Sequence, residues 1–206
     1  MFTGIIQSQA KINQVKSKPG IKTLIILLAE HLIKNLEIGA SVAVNGVCLT
    51  VRKMHNNEVF FDVMQETLDK TNLELLKKHS VVNIERSIKQ GDELGGHIVS
   101  GHVDTTATIS KIIKPKNNYI LKFNCPKSLM KYIYPKGFIT VNGASLTIVK
   151  TFKKGGFTVH LIPETLKATT FSNLKVGDKV NIEIDRQTQV IVNTIKQYLK
   201  NTKKFL

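Results

Sequence analysis

The chain is expected to be all-β, made of two similar halves built from short strands and followed by a helix. Three observations carry that expectation. VNGVCLTV at residues 44–51 returns as VNGASLTI at 141–148, apolar and polar residues alternate on both sides of each Asn-Gly, and the last strand gives way to helical apolar spacing.

The repetition is not confined to one segment. FTGII at 2–6 lies over VSGHV at 99–103 with an offset of 97, while MQETL at 64–68 lies over IPETL at 162–166 and VNIE at 82–85 over VNIE at 180–183, both with an offset of 98. Gly39 and Gly137 also stand 98 apart, so small insertions separate copies whose landmarks keep one order. Solenoid repeats run to about 20–50 residues, so a period near 100 marks a duplicated domain instead. A chain of 206 residues has room for two such cores. The division expected is 1–97, then 98–187, then a helical tail at 188–206, with the glycine-rich QGDELGG at 90–96 at the first boundary.

Within each half the elements follow in turn. Ser41 to Val44 and Val47 to Val51 alternate around Asn45-Gly46, the strongest short hairpin signal, and Asn142-Gly143 repeats it. Further strands are expected at 24–28, 59–64 and 81–85, then at 119–123, 157–162 and 180–184, which suits a sandwich or barrel in each half. Short helical patches are expected at 73–78 and 128–133. A longer helix at 188–199 places Val192, Ile195 and Leu199 on one stripe with Ile191 and Tyr198 beside them. That stripe has two destinations open to it, its own barrel or the same helix in other subunits.

Composition excludes several classes. Hydrophobic residues form 42% and charged residues 22%, and no apolar run reaches the length of a membrane span. The start, MFTGIIQSQAKI, has no secretory pattern, so a cytoplasmic chain with no membrane partner is expected. Cys48 and Cys125 stand far apart without CxxC spacing, which suggests free thiols, neither a disulfide framework nor a zinc site. The formal charge of +15 invites a nucleic-acid reading, but arginine occurs only at Arg52, Arg86 and Arg186 while lysine is scattered through nearly every segment. Phosphate and base readers favour the planar arginine fork, so the lysines are read as a solvated surface and nucleic acid as no partner.

The repeated positions suggest chemistry. Side chains alternate along a strand, so Cys48 and Thr50 share one face, as do Ser145 and Thr147 in the other copy. Small hydroxyl and thiol groups two apart suit a site that grips a polar heterocycle or presents a nucleophile, although alone each pair is also ordinary strand composition. The Glu-Thr of QETL and PETL either binds polyol hydroxyls or caps a short helix. His97 and His102, five apart, would face opposite ways in an extended stretch and make no metal pair, while His102, beside the repeated glycine, is a candidate proton carrier. Neither a phosphate loop nor GxGxxG occurs, so no nucleotide cofactor is expected.

Together MFTGI, GASVAVNGVCLTV, FDVMQETL, GGHIVSGHVD, MKYIYPKGFITVNGASLTI, VHLIPETL and VNIEIDRQTQ resemble the alpha-type riboflavin synthases over nearly the whole chain. The resemblance implies two six-stranded antiparallel Greek-key barrels, a homotrimer held by the C-terminal helices, and catalysis without metal or organic cofactor. Two molecules of 6,7-dimethyl-8-ribityllumazine would react, one giving four carbons to the other, to yield riboflavin and 5-amino-6-ribitylaminouracil. A reaction between two identical molecules explains two similar half-sites. By the family pattern the N-terminal half-site would comprise Gly4, Ile5, Ile6, Cys48, Leu49 and Thr50 with Asp62, Val63, Met64, Gln65, Glu66 and Thr67. Gly101, His102, Val103, Lys136, Ser145, Leu146 and Thr147 with Ile162, Pro163, Glu164, Thr165, Leu166 and Lys167 would form the other. Phe2 would pack at the site, while Ser41, Cys48 and His102 would assist chemistry. The resemblance leaves open an association with lumazine synthase. Non-catalytic lumazine- or flavin-binding antenna proteins share the duplicated barrel, but polar pairs kept in both halves favour the enzyme.

Overall fold

In the computed structural model, which describes residues 1–116 and 118–202, twelve strands close into two antiparallel Greek-key barrels. The first contains β1 (Ser8–Lys18), β2 (Ile21–Leu27), β3 (Ser41–Val44), β4 (Val47–His55), β5 (Glu58–Met64) and β6 (Val81–Arg86). The second contains β7 (Thr105–Ile113), β8 (Tyr119–Asn124), β9 (Phe138–Val141), β10 (Ala144–Thr151), β11 (Phe157–Leu161) and β12 (Lys179–Ile184). The cyclic order β1-β2-β5-β4-β3-β6 becomes the order of the second barrel when each strand is replaced by its copy. Even the irregularities repeat. Register breaks between Ile12 and Gln14 and between Val51 and Lys53 recur between Ile109 and Lys111 and between Ile148 and Lys150, where the added twist helps a small sheet close.

The alternating pattern places the apolar half of each strand inside. Val47, Leu49 and Val51 of β4 are buried while Thr50 and Arg52 face out, and Ala144, Leu146 and Ile148 do the same in β10. Each barrel has its own core, one around Leu24, Ile26, Phe61 and Val82, the other around Ile109, Leu121, Phe123 and Val180. The expected strands are present, and β1 and β7 are added to them. These two bury little beyond Ala10 and Ile12 or Ala107 and Ile109, so lysine, threonine and glutamine dilute their alternation.

The two Asn-Gly turns have positive φ at both positions, 46° and 79° in Asn45-Gly46, 43° and 85° in Asn142-Gly143, as two-residue hairpins of this hand require. They also meet each other. A Cβ added to Gly46 would stand 2.6 Å from the amide nitrogen of Gly143, so only glycine lets the turns pack back to back. Five buried asparagines ring this contact. Asn83 Nδ2 donates to the Asn142 carbonyl and Asn181 Nδ2 to the Asn45 carbonyl, both at 2.9 Å, while Asn72 Nδ2 donates to Asn142 Oδ1 at 3.1 Å. The repeated motif is therefore the hinge of the pseudo-twofold interface as well as a hairpin.

The short helices differ from expectation. α1 (Glu30–Ile33) is an extra turn, and in place of one helix at 73–78 the chain forms α2 (Gln65–Lys70) and then a 3-10 turn at Asn72–Leu75. Thr71 breaks the run by turning extended and accepting from Leu73 N–H through Oγ1. α3 (Pro163–Ala168) and the turn at Thr170–Asn173 copy this arrangement, and the patch expected at 128–133 is a 3-10 helix over Lys127–Tyr132. Glu66-Thr67 and Glu164-Thr165 thus lie in first helical turns, and the capping alternative is corrected: Met64 and Ile162 hold the cap positions without side-chain bonds.

α4 (Arg186–Thr202) begins where Asp185 accepts from the Thr188 hydroxyl at 2.6 Å. It touches the second barrel through Val192 and through Tyr132, whose hydroxyl donates to Asn193 Oδ1 at 2.6 Å. Ile191, Ile195, Tyr198 and Leu199 stay exposed. The expected tail extends to residue 206, and its last four residues, with the Lys203-Lys204 cluster, lie outside the described residues. Among the described residues no helix is long and apolar enough to cross a membrane.

Candidate active site

Two hollows occupy matching places on the two barrels. One, of about 200 Å³, is lined by Gly4, Ile5, Ile6, Ala144, Ser145, Glu164, Thr165, Ala168 and Thr169. The other, of about 160 Å³, is lined by Val47, Cys48, Glu66, Thr67, Lys70, Thr71, Gly101, His102 and Val103. The expected grouping by halves is corrected: Gly4, Ile5 and Ile6 belong to the C-terminal barrel's hollow, and Gly101, His102 and Val103 to the N-terminal one.

The exchange has a physical cause in how the two segments preceding the barrels cross. Phe2 and Val99 form an antiparallel bridge between those segments, each donating N–H to the other's carbonyl at 2.8 and 3.0 Å. Beyond the bridge each glycine joins both barrels. Gly4 N–H donates to Glu85 of β6 at 3.1 Å, while its carbonyl accepts from Ser145 N–H of β10 at 2.8 Å. Gly101 N–H donates to Glu183 of β12 at 3.0 Å, while its carbonyl accepts from Cys48 N–H of β4 at 2.9 Å. Ile6 then packs into the C-terminal core and Val103 onto the N-terminal one.

The two buried carboxylates hold these crossings. Glu85 also accepts from Thr3 N–H and Oγ at 2.6 and 2.7 Å, and Glu183 from Ser100 N–H and Oγ at 2.7 and 2.6 Å. Burial pushes both carboxyls above their ordinary range, against these hydrogen bonds. Arg186, which pairs with Asp104 at 2.9 Å, adds a positive field near Glu183.

The remaining expected residues divide between framework and rim. Leu49, Val63 and Leu146 are core, and Leu166 packs partly against it. Phe2 is buried against Ala43, Val99 and Cys48, behind the wall of the smaller hollow. Asp62 accepts from Thr23 Oγ1 at 2.6 Å and pairs with Arg52 at 3.0 Å, leaving Arg52 in place to steady the outer face of β4. Thr50 and Thr147 are exposed on their strands, and Met64 and Ile162 are exposed at the starts of the short helices. Gln65 bonds Asp69, Pro163 opens α3, and Lys167 gives its carbonyl to Gln9. Ser41 opens β3 opposite Thr50, and Lys136 sits in a turn at φ 70°; neither lines a hollow.

Sequence reasoning weighed His97 only as half of a metal pair and did not place it in the site. Its ring is 8% exposed, stacks on Phe138 with centroids 5.1 Å apart, and places Nδ1 2.7 Å from Ser145 Oγ. Burial pushes this imidazole below its ordinary value, against the opposing field of Asp185. Gly96 beside it has no room for a Cβ, which would lie 2.2 Å from the Thr3 carbonyl oxygen and 2.8 Å from Ser145 Cβ, and this close approach leaves no mark in the sequence beyond the glycine. Ala144, Ala168, Thr169, Val47, Lys70 and Thr71 are further lining residues that the repeat alone did not single out.

Comparison with known proteins gives this geometry a context. A family model described as the lumazine binding domain matches the chain twice, over residues 3–87 and 100–185. Riboflavin synthase of Escherichia coli (strain K12) is 50% identical over 97% of this chain and 93% of its own, and that of Buchnera aphidicola subsp. Schizaphis graminum 49% identical over 97% and 96%. Among solved structures, LumP complexed with riboflavin superposes with a TM-score of 0.82 at 26% identity, covering 90% of this chain and 100% of that one.

Proposed function

The chain belongs to the lumazine-binding domain family, as one of its riboflavin synthases, and on that premise we propose that each hollow holds one molecule of 6,7-dimethyl-8-ribityllumazine. The enzyme is a transferase: a four-carbon unit passes from one lumazine to the other, giving riboflavin and 5-amino-6-ribitylaminouracil. The observation that carries the binding proposal is the pair of matching hollows, each with a strand residue, Cys48 or Ser145, a helical Glu-Thr and a crossing glycine segment. LumP complexed with riboflavin supports a flavin-like ligand on this fold.

In this reading the rings lie beside Cys48 and Ser145, and the ribityl chains run toward Glu66-Thr67 and Glu164-Thr165. The lumazine's C7 methyl is acidic because its carbanion spreads through the ring, so one substrate becomes a nucleophile. Addition of water or of a side-chain hydroxyl or thiol at C7 of the second leaves a C6=N5 imine, and the carbanion bonds to that C6 while the electron pair moves to N5. Phe2 backs the smaller hollow and His102 faces it; Ser41 and Lys136 complete the proposed half-sites from outside the hollows. Hollows of about 200 and 160 Å³ fall below the usual ligand-pocket size, which fits half-sites completed by a second subunit. The N-terminal barrel of one subunit would face the C-terminal barrel of its neighbour in a trimer held by α4. A cytoplasmic location and an association with lumazine synthase belong to the same reading.

Incubating the purified protein with the ribityllumazine and following riboflavin absorbance tests this. Riboflavin and the ribitylaminouracil should form in equal amounts. Spectral shifts on binding without turnover would point instead to an antenna-type binder.

A further inference from the structure

We propose that His97 is the positioning residue that activates Ser145, making the C-terminal hollow the one whose side chain adds to a bound lumazine. The inference rests on the lumazine reading above and assigns unlike roles to its two halves.

The difference begins with two substitutions between copies, Ser145 for Cys48 and Thr140 for Ala43. Ser145 pairs across the hairpin with Thr140, and Cys48 pairs with Ala43. Around Ser145 the chain supplies His97, whose Nδ1 lies 2.7 Å from Oγ and whose Nε2 lies 3.3 Å from Thr140 Oγ1. Around Cys48 it supplies Phe2, Ala43 and Val99, an apolar cluster. Among the described residues no side-chain hydrogen bond reaches the Cys48 sulfur.

The imidazole is well held. Phe138 stacks on it at an interplanar angle of 12°, and its backbone N–H donates to the Thr3 carbonyl at 3.1 Å. With the proton on Nε2, shared with Thr140, the Nδ1 lone pair accepts the Ser145 hydroxyl. Burial keeps the ring neutral and so able to accept. Asp185 is the charged group whose field reaches it; Thr3, Gly96, Phe138, Thr140 and Ser145 around it are uncharged, and Glu85 beyond Thr3 is engaged with Thr3 and Gly4. Ser145 lines the hollow, so its Oγ lone pairs are accessible to a bound ring.

The step balances without an oxidant or reductant. As Ser145 Oγ bonds to C7, its proton passes to His97 Nδ1. The electron pair of the C6–C7 double bond moves through N5 to the C4 carbonyl. Loss of the serine later returns the proton to Oγ.

The test compares wild type, Ser145→Ala, His97→Asn and the double variant, with ribityllumazine affinity read by fluorescence titration. Asparagine places a hydrogen-bond acceptor near the Nδ1 position but takes up no proton. Each single variant should lose about 100-fold in kcat with affinity within about threefold, and the double should be no slower than the slower single. Wild-type kcat should fall on the acid side as His97 protonates, and that limb should be absent in His97→Asn. Near-normal kcat in His97→Asn, losses that multiply, or a surviving acid limb would overturn the assignment. If His97→Asn does not fold, Ser145→Ala carries the same test, because it too must lose the acid limb. A wild type that makes no riboflavin refutes the reaction itself, whereas an active wild type with an indifferent His97 refutes only this inference.

Discussion

Gly4 and Gly101 occupy left-handed backbone, at φ 75° and 78°, in the closest contacts between the crossing segments and the two site strands. A Cβ on Gly4 would lie 2.6 Å from that of Ser145, and one on Gly101 would lie 2.7 Å from that of Cys48. Alanine at either position costs about 1–2 kcal/mol in backbone alone and must also push the strand away. Gly4→Ala and Gly101→Ala should each weaken ribityllumazine binding at least about tenfold, measured by fluorescence titration, with secondary structure unchanged. The carboxylates that hold these glycines give a second expectation. Burial keeps Glu85 and Glu183 above their ordinary 4.5, so the native chain retains protons that the unfolded chain releases. That contribution to stability is complete below about pH 4.5 and is lost as pH rises through the raised native values. Urea unfolding should show wild type losing stability relative to the Glu85→Gln, Glu183→Gln double variant as pH rises above about 4.5. A difference that does not change with pH would contradict it. Neither carboxylate was legible as more than the end of a VNIE strand, because burial and a partner some 80 residues away leave no local mark.

At the scale of elements, the duplicated order of strands and the Asn-Gly turns were readable because their periodicity is local. What was not readable was the crossing of 1–6 and 96–103, since an offset aligns each segment with its copy and says nothing about which barrel it enters. The turn contact explains why Asn and Gly recur unchanged while the residue after them by two positions differs. Asn83 and Asn181 are the strongest members of that network. Each donates through Nδ2 to a turn carbonyl, and each accepts at Oδ1 from the opposite half, from Thr170 N–H at 2.8 Å or Asn72 N–H at 2.7 Å. Removing either amide strands a buried donor and a buried acceptor between the barrels. Asn83→Ala and Asn181→Ala should each destabilise the chain by about 2–4 kcal/mol in urea unfolding. Because both copies lean on the same turns, loss should appear as one cooperative transition at lower denaturant, without a separate unfolding step for the affected barrel.

For the whole molecule, the duplication supplies two unlike pockets, and a bimolecular reaction must bring their contents together. α4 offers the means. Its Val192 and Asn193 face the second barrel, while Ile191, Ile195, Tyr198 and Leu199 form an exposed stripe on the same helix. Apolar side chains spaced at one helical face are most stable when covered, and a second or third copy of that helix covers them symmetrically. The substitution Ile191→Glu with Ile195→Glu places two charges on the stripe without touching either pocket or either barrel core. Such a chain should sediment as a monomer where wild type should sediment as the proposed trimer, with its thermal transition concentration-independent. It should still bind ribityllumazine, though more weakly, because each chain builds its own hollows through its crossed segments but no neighbour completes them. Turnover should fall by about 100-fold or more, since the reacting molecules are no longer held face to face. A monomer with full turnover would mean that both lumazines react within one subunit, and the trimer would then have no part in the chemistry.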